Sequence, residues 1–100
     1  MNENKPEDLK QRTKRFALRV VRLYGALPKT VEAQVIGKQM LRSGTSVGAH
    51  YREAIRARST AEFVSKIEGG LQELEEAGQL TAILVTCVKN AKQKRMKAEG

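Results

Sequence analysis

Only two prolines occur in this 100-residue chain, Pro6 and Pro28. Proline lacks a backbone donor and clashes with the preceding helical turn, so helices run between prolines, not through them. Neither proline interrupts an apolar periodic run, and runs of β-branched residues with period-two alternation are absent. The strand pattern is therefore missing, and the chain reads as helical nearly throughout.

The first helix is expected to begin near Pro6, where proline suits the first helical position and Glu7 and Asp8 complement the positive end of the dipole. Leu9, Phe16, Val20, Leu23 and Leu27 share one face. Pro28 forces the residue before it out of the helical region, so this helix ends at Leu27-Pro28-Lys29-Thr30. So short a loop makes the second helix an antiparallel neighbour. That helix takes Thr30 as its N-cap and runs through Ile36, Met40, Val47, Tyr51 and Ile55 to about Arg58. In its middle lies Ser43-Gly44-Thr45-Ser46-Val47-Gly48-Ala49, a poor helix former in which each glycine costs about 1 kcal/mol relative to alanine. The apolar phase survives across it, from Met40 to Val47 to Tyr51. The reading is one helix whose small face admits another backbone, with Ser43, Gly44, Ser46, Gly48 and Tyr51 as candidates for helix packing or oligomer contact.

Ser59-Thr60-Ala61-Glu62 has the form of a capping box and opens the third helix, whose stripe is Phe63, Ile67, Leu71 and Leu74. Leu80, Ile83, Leu84, Cys87, Val88 and Ala91 then fall about 120° away if the helix is continuous. Either Gly78 closes the third helix as a C′ residue, or one long helix shows different faces to different partners. The expected fold is an all-α, antiparallel up-down bundle in one domain, residues 1–100, with residues 1–5 and 96–100 frayed. It has four helices with a shortened hairpin between the third and fourth. The alternative is three helices, the last continuous from about Ser59 to Arg95.

Leu, Ile, Val and Phe make up 23 of the 100 residues, so the core is thin and self-association is the way to bury more. One cysteine excludes a disulfide scaffold and any cysteine-based zinc site. One histidine excludes a His-rich metal site, and no cofactor is expected. No apolar run approaches the roughly 18 residues of a membrane span. Residues 1–14 lack the apolar segment of a secretory signal, which together with the free thiol points to the cytoplasm.

The net charge is +8, unevenly spread. Residues 59–76 hold one basic and five acidic groups, so the third helix starts as an acidic rod among basic ones. Arg12, Arg15, Arg19 and Arg22 are spaced by three, four and three, within one stripe of the first helix. Lys38, Arg42, Arg52 and Arg56 form a second stripe, continued by Arg58. These nine residues are the candidate nucleic-acid contacts, because cations in rows can follow a phosphate backbone and release its counterions. The competing reading pairs them with Glu62, Glu68, Glu73, Glu75 and Glu76, within the bundle or across subunits. Four aromatic residues, mostly on core faces, do not make a stacking platform for bases. Gly44-Thr45-Ser46 is no phosphate loop, since no Walker lysine follows and no strand precedes it. His50 and Cys87 lack evident acid–base partners, Glu75-Glu76 reads as a solvated face, and nothing assembles a nucleophile, base and oxyanion donor. The chain is expected not to be an enzyme.

The run from Leu41 to Ala49, continued by Tyr51-Arg52-Glu53-Ala54 and Arg56-Ala57-Arg58-Ser59, resembles a known family, as do Leu27-Pro28-Lys29-Thr30, Ala61-Glu62-Phe63, Lys66-Ile67 and Ala82-Ile83-Leu84. It is similar to the four-helix-bundle proteins encoded within 23S rRNA intervening sequences, over about residues 12–95. The resemblance implies an antiparallel four-helix bundle assembling as a homopentamer. It also implies a likeness to basic accessory proteins of diversity-generating retroelements, with RNA or DNA and a reverse transcriptase as possible partners. By position, the stripe of the first helix and Arg52, Arg56 and Arg58 would carry such binding. Two departures stand out: His50 where the family usually has asparagine, and a shorter stretch between Glu76 and Leu80. The functional expectation is a non-catalytic basic protein that self-associates and binds nucleic acid through phosphates; the alternative is a structural or adaptor oligomer without nucleic-acid binding.

Overall fold

A computed structural model describes residues 6–99, and among them the chain forms three helices and no strand. They are α1 (Pro6–Ala26), α2 (Val31–Ile55) and α3 (Thr60–Glu99). Met1 to Lys5 and Gly100, where fraying was expected, lie outside the described residues.

The caps follow from side-chain chemistry. Thr30 Oγ1 accepts from the backbone N–H of Ala33 at 3.2 Å and starts α2. Ser59 Oγ accepts from the N–H of Glu62 at 3.1 Å and starts α3. Gln34 then fastens the α1–α2 connection: its Nε2 donates to the carbonyl of Pro28 at 3.0 Å, and its Oε1 accepts from the Tyr24 hydroxyl at 3.2 Å. α2 ends at Ile55, slightly before the expected boundary, where Arg56 leaves the helical region and the N–H of Ala57 turns back to Ala54 at 3.0 Å.

α2 is unbroken through its small residues and lies between α1 and α3. Its glycines face α1: a Cβ at Gly37 would meet Leu27, one at Gly44 would meet Val20, and one at Gly48 would approach Thr13. The backbone admitted by the small face is thus α1 of the same chain. α3 crosses the other flank of α2, again by way of glycine. His50 rests on Gly69 and Gly70: a Cβ at Gly69 would press on the imidazole and one at Gly70 would stand 3.3 Å from His50 Cβ. Further along, Leu80 and Leu84 of α3 join Val20, Leu27, Ala33 and Met40 in the core.

Among the described residues there is no fourth helix. α3 is one helix of 40 residues, in accord with the three-helix alternative. No described glycine has positive φ, so Gly78 does not act as a left-handed C′ stop. The change of apolar face near Ala77 is real, but it serves two surroundings of a single helix. The first half of α3 meets α2 through Gly69, Gly70 and Ala77 and leaves Phe63, Leu71 and Leu74 exposed; the second half turns Leu84 inward. The helix runs on to Glu99, past the Arg95 end of that alternative and into the stretch from residue 96 where fraying was expected. Lysine, arginine, glutamine and methionine are good helix formers, and cations suit the negative end of the dipole.

Gly78 has nothing within 4 Å of a Cβ position. Gly78→Ala is therefore expected to raise the unfolding free energy by about 0.5–1 kcal/mol, by relieving the glycine cost of a helix interior. Urea denaturation reads this directly, and a loss of stability would mean that Gly78 ends a helix.

Candidate functional site

α1 runs antiparallel to α2, and α2 antiparallel to α3, so α1 and α3 are parallel and flank one face of α2. Between them opens a groove of about 570 Å³. Its floor is Val47, which with Tyr51 also lines a separate, smaller hollow of about 110 Å³. One wall is α1, with Leu9 and Phe16 below and Arg12, Arg15 and Arg19 above. The other wall is α3 through Leu74, while Ile67 and Leu71 line the smaller hollow. Leu71 is 58% exposed, although it is one of the largest apolar side chains on this face. Burial pushes the phenol of Tyr51 above its ordinary 10.0, so the group is neutral at physiological pH.

The structure divides the nine candidate cations among different surfaces. Arg12, Arg15 and Arg19 share the groove rim, and Arg22 continues their row as an exposed side chain. None of these four has a carboxylate partner among the described residues. Arg42 is engaged differently: it donates to Glu73 at 3.1 Å and to Glu76 at 3.0 Å on α3. Ser43, fully buried, donates to the same Glu76 oxygen at 2.7 Å. This pins α3 to α2: one Glu76 oxygen takes both the buried hydroxyl and the Arg42 guanidinium, which also donates to Ser43 Oγ at 3.3 Å. Lys38, Arg52, Arg56 and Arg58 are exposed, away from the groove rim, with the Arg52 guanidinium lying beside Gly48.

The packing candidates are also placed. Gly44 and Gly48 face α1, Ser46 donates to the carbonyl of Arg42 at 2.7 Å on its own helix, and Tyr51 lines the smaller hollow. His50 Nδ1 is 3.9 Å from a Glu53 oxygen, and Lys66 Nζ is 3.7 Å from the same oxygen. Cys87 is an exposed free thiol. Among the described residues, no group of three or more His, Cys, Asp or Glu side chains could hold a metal ion, and no helix is long and apolar enough to cross a membrane.

One basic surface escaped the sequence reading. Lys89, Lys92, Lys94, Arg95 and Lys97 are all exposed on the last turns of α3. The Ser43–Glu76 contact sets the antiparallel register, and it brings Val31, the first residue of α2, level with Val88. Beyond Val88, α3 therefore projects past the other helices as a cationic rod, with Lys29 of the α1–α2 connection at the same end. The density of cations was visible as a signal. The three-helix alternative, with its last helix continuous to about Arg95, already placed four of these five side chains on a helix, and only Lys97 lies beyond it.

These features define a class: a small, strongly basic, three-helix protein whose candidate site is a surface and not a pocket of reactive groups. The chain belongs to the 23S rRNA-intervening sequence protein family, which it matches over residues 6–98. Among solved structures it is similar to a protein of unknown function from the S23 ribosomal protein family of Bacteroides thetaiotaomicron. That likeness has 38% identity and a TM-score of 0.75, and it covers 83% of this chain and 74% of the other. Among curated proteins none matches.

Proposed function

We propose that this chain is a non-catalytic helical protein that self-associates and binds nucleic acid through phosphate contacts. The observation that carries the reading is the cationic end of α3, where five exposed basic side chains stand within nine residues. A rod of this kind can lie along a phosphate backbone without reading bases, which positions a protein and confers no sequence preference. Arg22, Lys29 and Lys38 extend the positive surface. The family's name refers to 23S rRNA, which makes structured RNA the first probe. The Arg42–Glu73–Glu76 cluster favours a second reading, a structural or adaptor oligomer, because it shows one arginine of the second basic row paired with carboxylates of α3.

Fluorescence anisotropy with a labelled RNA duplex and a DNA duplex of equal length separates the two. If about four phosphates are neutralised, affinity falls about a hundred-fold between 50 and 200 mM salt and barely changes with base sequence. Lys92→Glu with Lys94→Glu weakens binding and leaves helicity intact. No binding to either duplex at low ionic strength rejects the nucleic-acid reading and leaves the adaptor.

A further inference from the structure

The cations at the end of α3 are arranged unlike the other basic rows of the chain. At about 100° per residue, with Lys89 at zero, Lys97, Lys94, Arg95 and Lys92 fall near 80°, 140°, 240° and 300°, so no gap between them exceeds about 100°. They girdle the helix. By the same count Arg12, Arg15, Arg19 and Arg22 keep within about 80° of one another on α1, a one-sided stripe. Lys89, Asn90 and residues 92–97 are all exposed. No Asp or Glu occurs from Ala77 to Ala98, so the charge of this stretch is all of one sign.

We infer that this girdled end of α3 enters the major groove of duplex DNA, between its two phosphate walls. The inference rests on the nucleic-acid reading above and names its substrate class. A helix lying outside one strand uses cations on one side only, and those on the far side face water. Cations on every side are used together only where phosphates flank the helix on both sides, as they do within a groove. Width then selects the duplex. A helix with its side chains is about 10–12 Å across, and the major groove of B-form DNA is about 12 Å wide, against about 6 Å for the minor groove. The major groove of A-form RNA is deep and too narrow. Reach is sufficient, since the residues of α3 past Val88 add about 16 Å of helix at 1.5 Å per residue. A single strand fits less well, because no aromatic residue follows Phe63 to stack on its bases. The α1 row, which the family resemblance singles out, is one-sided and suits either duplex.

The test is fluorescence anisotropy of the full-length chain, at one low ionic strength, with a DNA duplex, an RNA duplex of equivalent sequence and the single DNA strand. The DNA duplex should bind about ten-fold more tightly than the RNA duplex. Glucosylated 5-hydroxymethylcytosine, whose sugars fill the major groove, should weaken DNA binding to a similar degree. Netropsin, which fills the minor groove, should not compete. Two variants divide the girdle: Lys89→Gln with Lys92→Gln removes one side, and Lys94→Gln with Lys97→Gln removes the other. Glutamine is a good helix former, so circular dichroism should show unchanged helicity. Each pair should lower DNA affinity several-fold and reduce the preference for DNA over RNA. No binding to any of the three probes overturns this inference and the nucleic-acid reading together. RNA or single strand bound as tightly as the DNA duplex, indifference to the glucosylated base, displacement by netropsin, or an effect from only one pair of substitutions or from neither, overturns groove entry and leaves nucleic-acid binding standing.

Discussion

Leu84→Ala is expected to lower the unfolding free energy by about 2–5 kcal/mol, the range for truncating a buried leucine. Leu84 is 1% exposed and belongs to the cluster formed by Val20, Leu27, Ala33 and Met40. Its removal leaves a cavity where α3 meets the core, and rigid helices on either side limit collapse into it. The loss is severe for a domain of this length, whose total stability is expected near the low end of about 5–15 kcal/mol. Ile83→Ala is the control. Ile83 is 47% exposed, and its truncation should cost well under half as much. Urea titrations of both variants, with the slope checked for constancy, give the comparison. Equal and small effects would mean that the second half of α3 does not pack where the structure puts it, and the continuous helix would fall with it.

Gly44→Leu should cost about 3 kcal/mol or more, at the upper end for overpacking. A Cβ on Gly44 would stand 2.7 Å from Val20 Cγ2 and 2.9 Å from Cγ1. Valine is branched at Cβ and held to few rotamers in a helix, so neither methyl can withdraw. Leucine adds three more carbons at a point where α1 and α2 touch, and α1 must move away. Even Gly44→Ala should be a net loss, because the clash outweighs the roughly 1 kcal/mol gain in helix propensity. Gly25→Ala, in open space on the far side of α1, isolates that propensity gain. Thermal unfolding of the three variants should rank Gly25→Ala above the unaltered chain, then Gly44→Ala, with Gly44→Leu lowest. A Gly44→Leu variant of unchanged midpoint would show that the helices are further apart than described.

Much of this fold was legible in the residues because the signals are local. Thr30 and Ser59 cap because their hydroxyls reach an N–H three residues on. Pro28 ends α1 by sterics alone. The unbroken α2 could be read because its apolar phase continued across Ser43 to Ala49. What the small residues packed against was a tertiary fact, and it proved to be α1. The length of α3 was ambiguous for a physical reason: glycine is tolerated both inside a helix and just past its end, and nothing beside Gly78 distinguishes these. The shift of apolar face fits a turn and a fourth helix as well as one rod meeting two environments, and the structure has the rod.

The candidate site was legible in part. Spacing alone placed Arg12, Arg15, Arg19 and Arg22 in one row. It could not say that Arg42 would be bound to Glu73 and Glu76, because those residues lie 31 and 34 positions away. Nor could it show that Leu74 stands across a groove from the α1 row. That depends on α1 and α3 running in the same direction on either side of α2, a property of topology and not of local sequence.

An odd number of antiparallel rods has a geometric consequence. An even bundle returns the chain to the pole where it began, whereas three rods leave Pro6 and Glu99 at opposite poles of a body about 60 Å long. Whatever is tethered at one pole is held away from whatever is gripped at the other, so the molecule has the shape of a spacer as much as of a binding module.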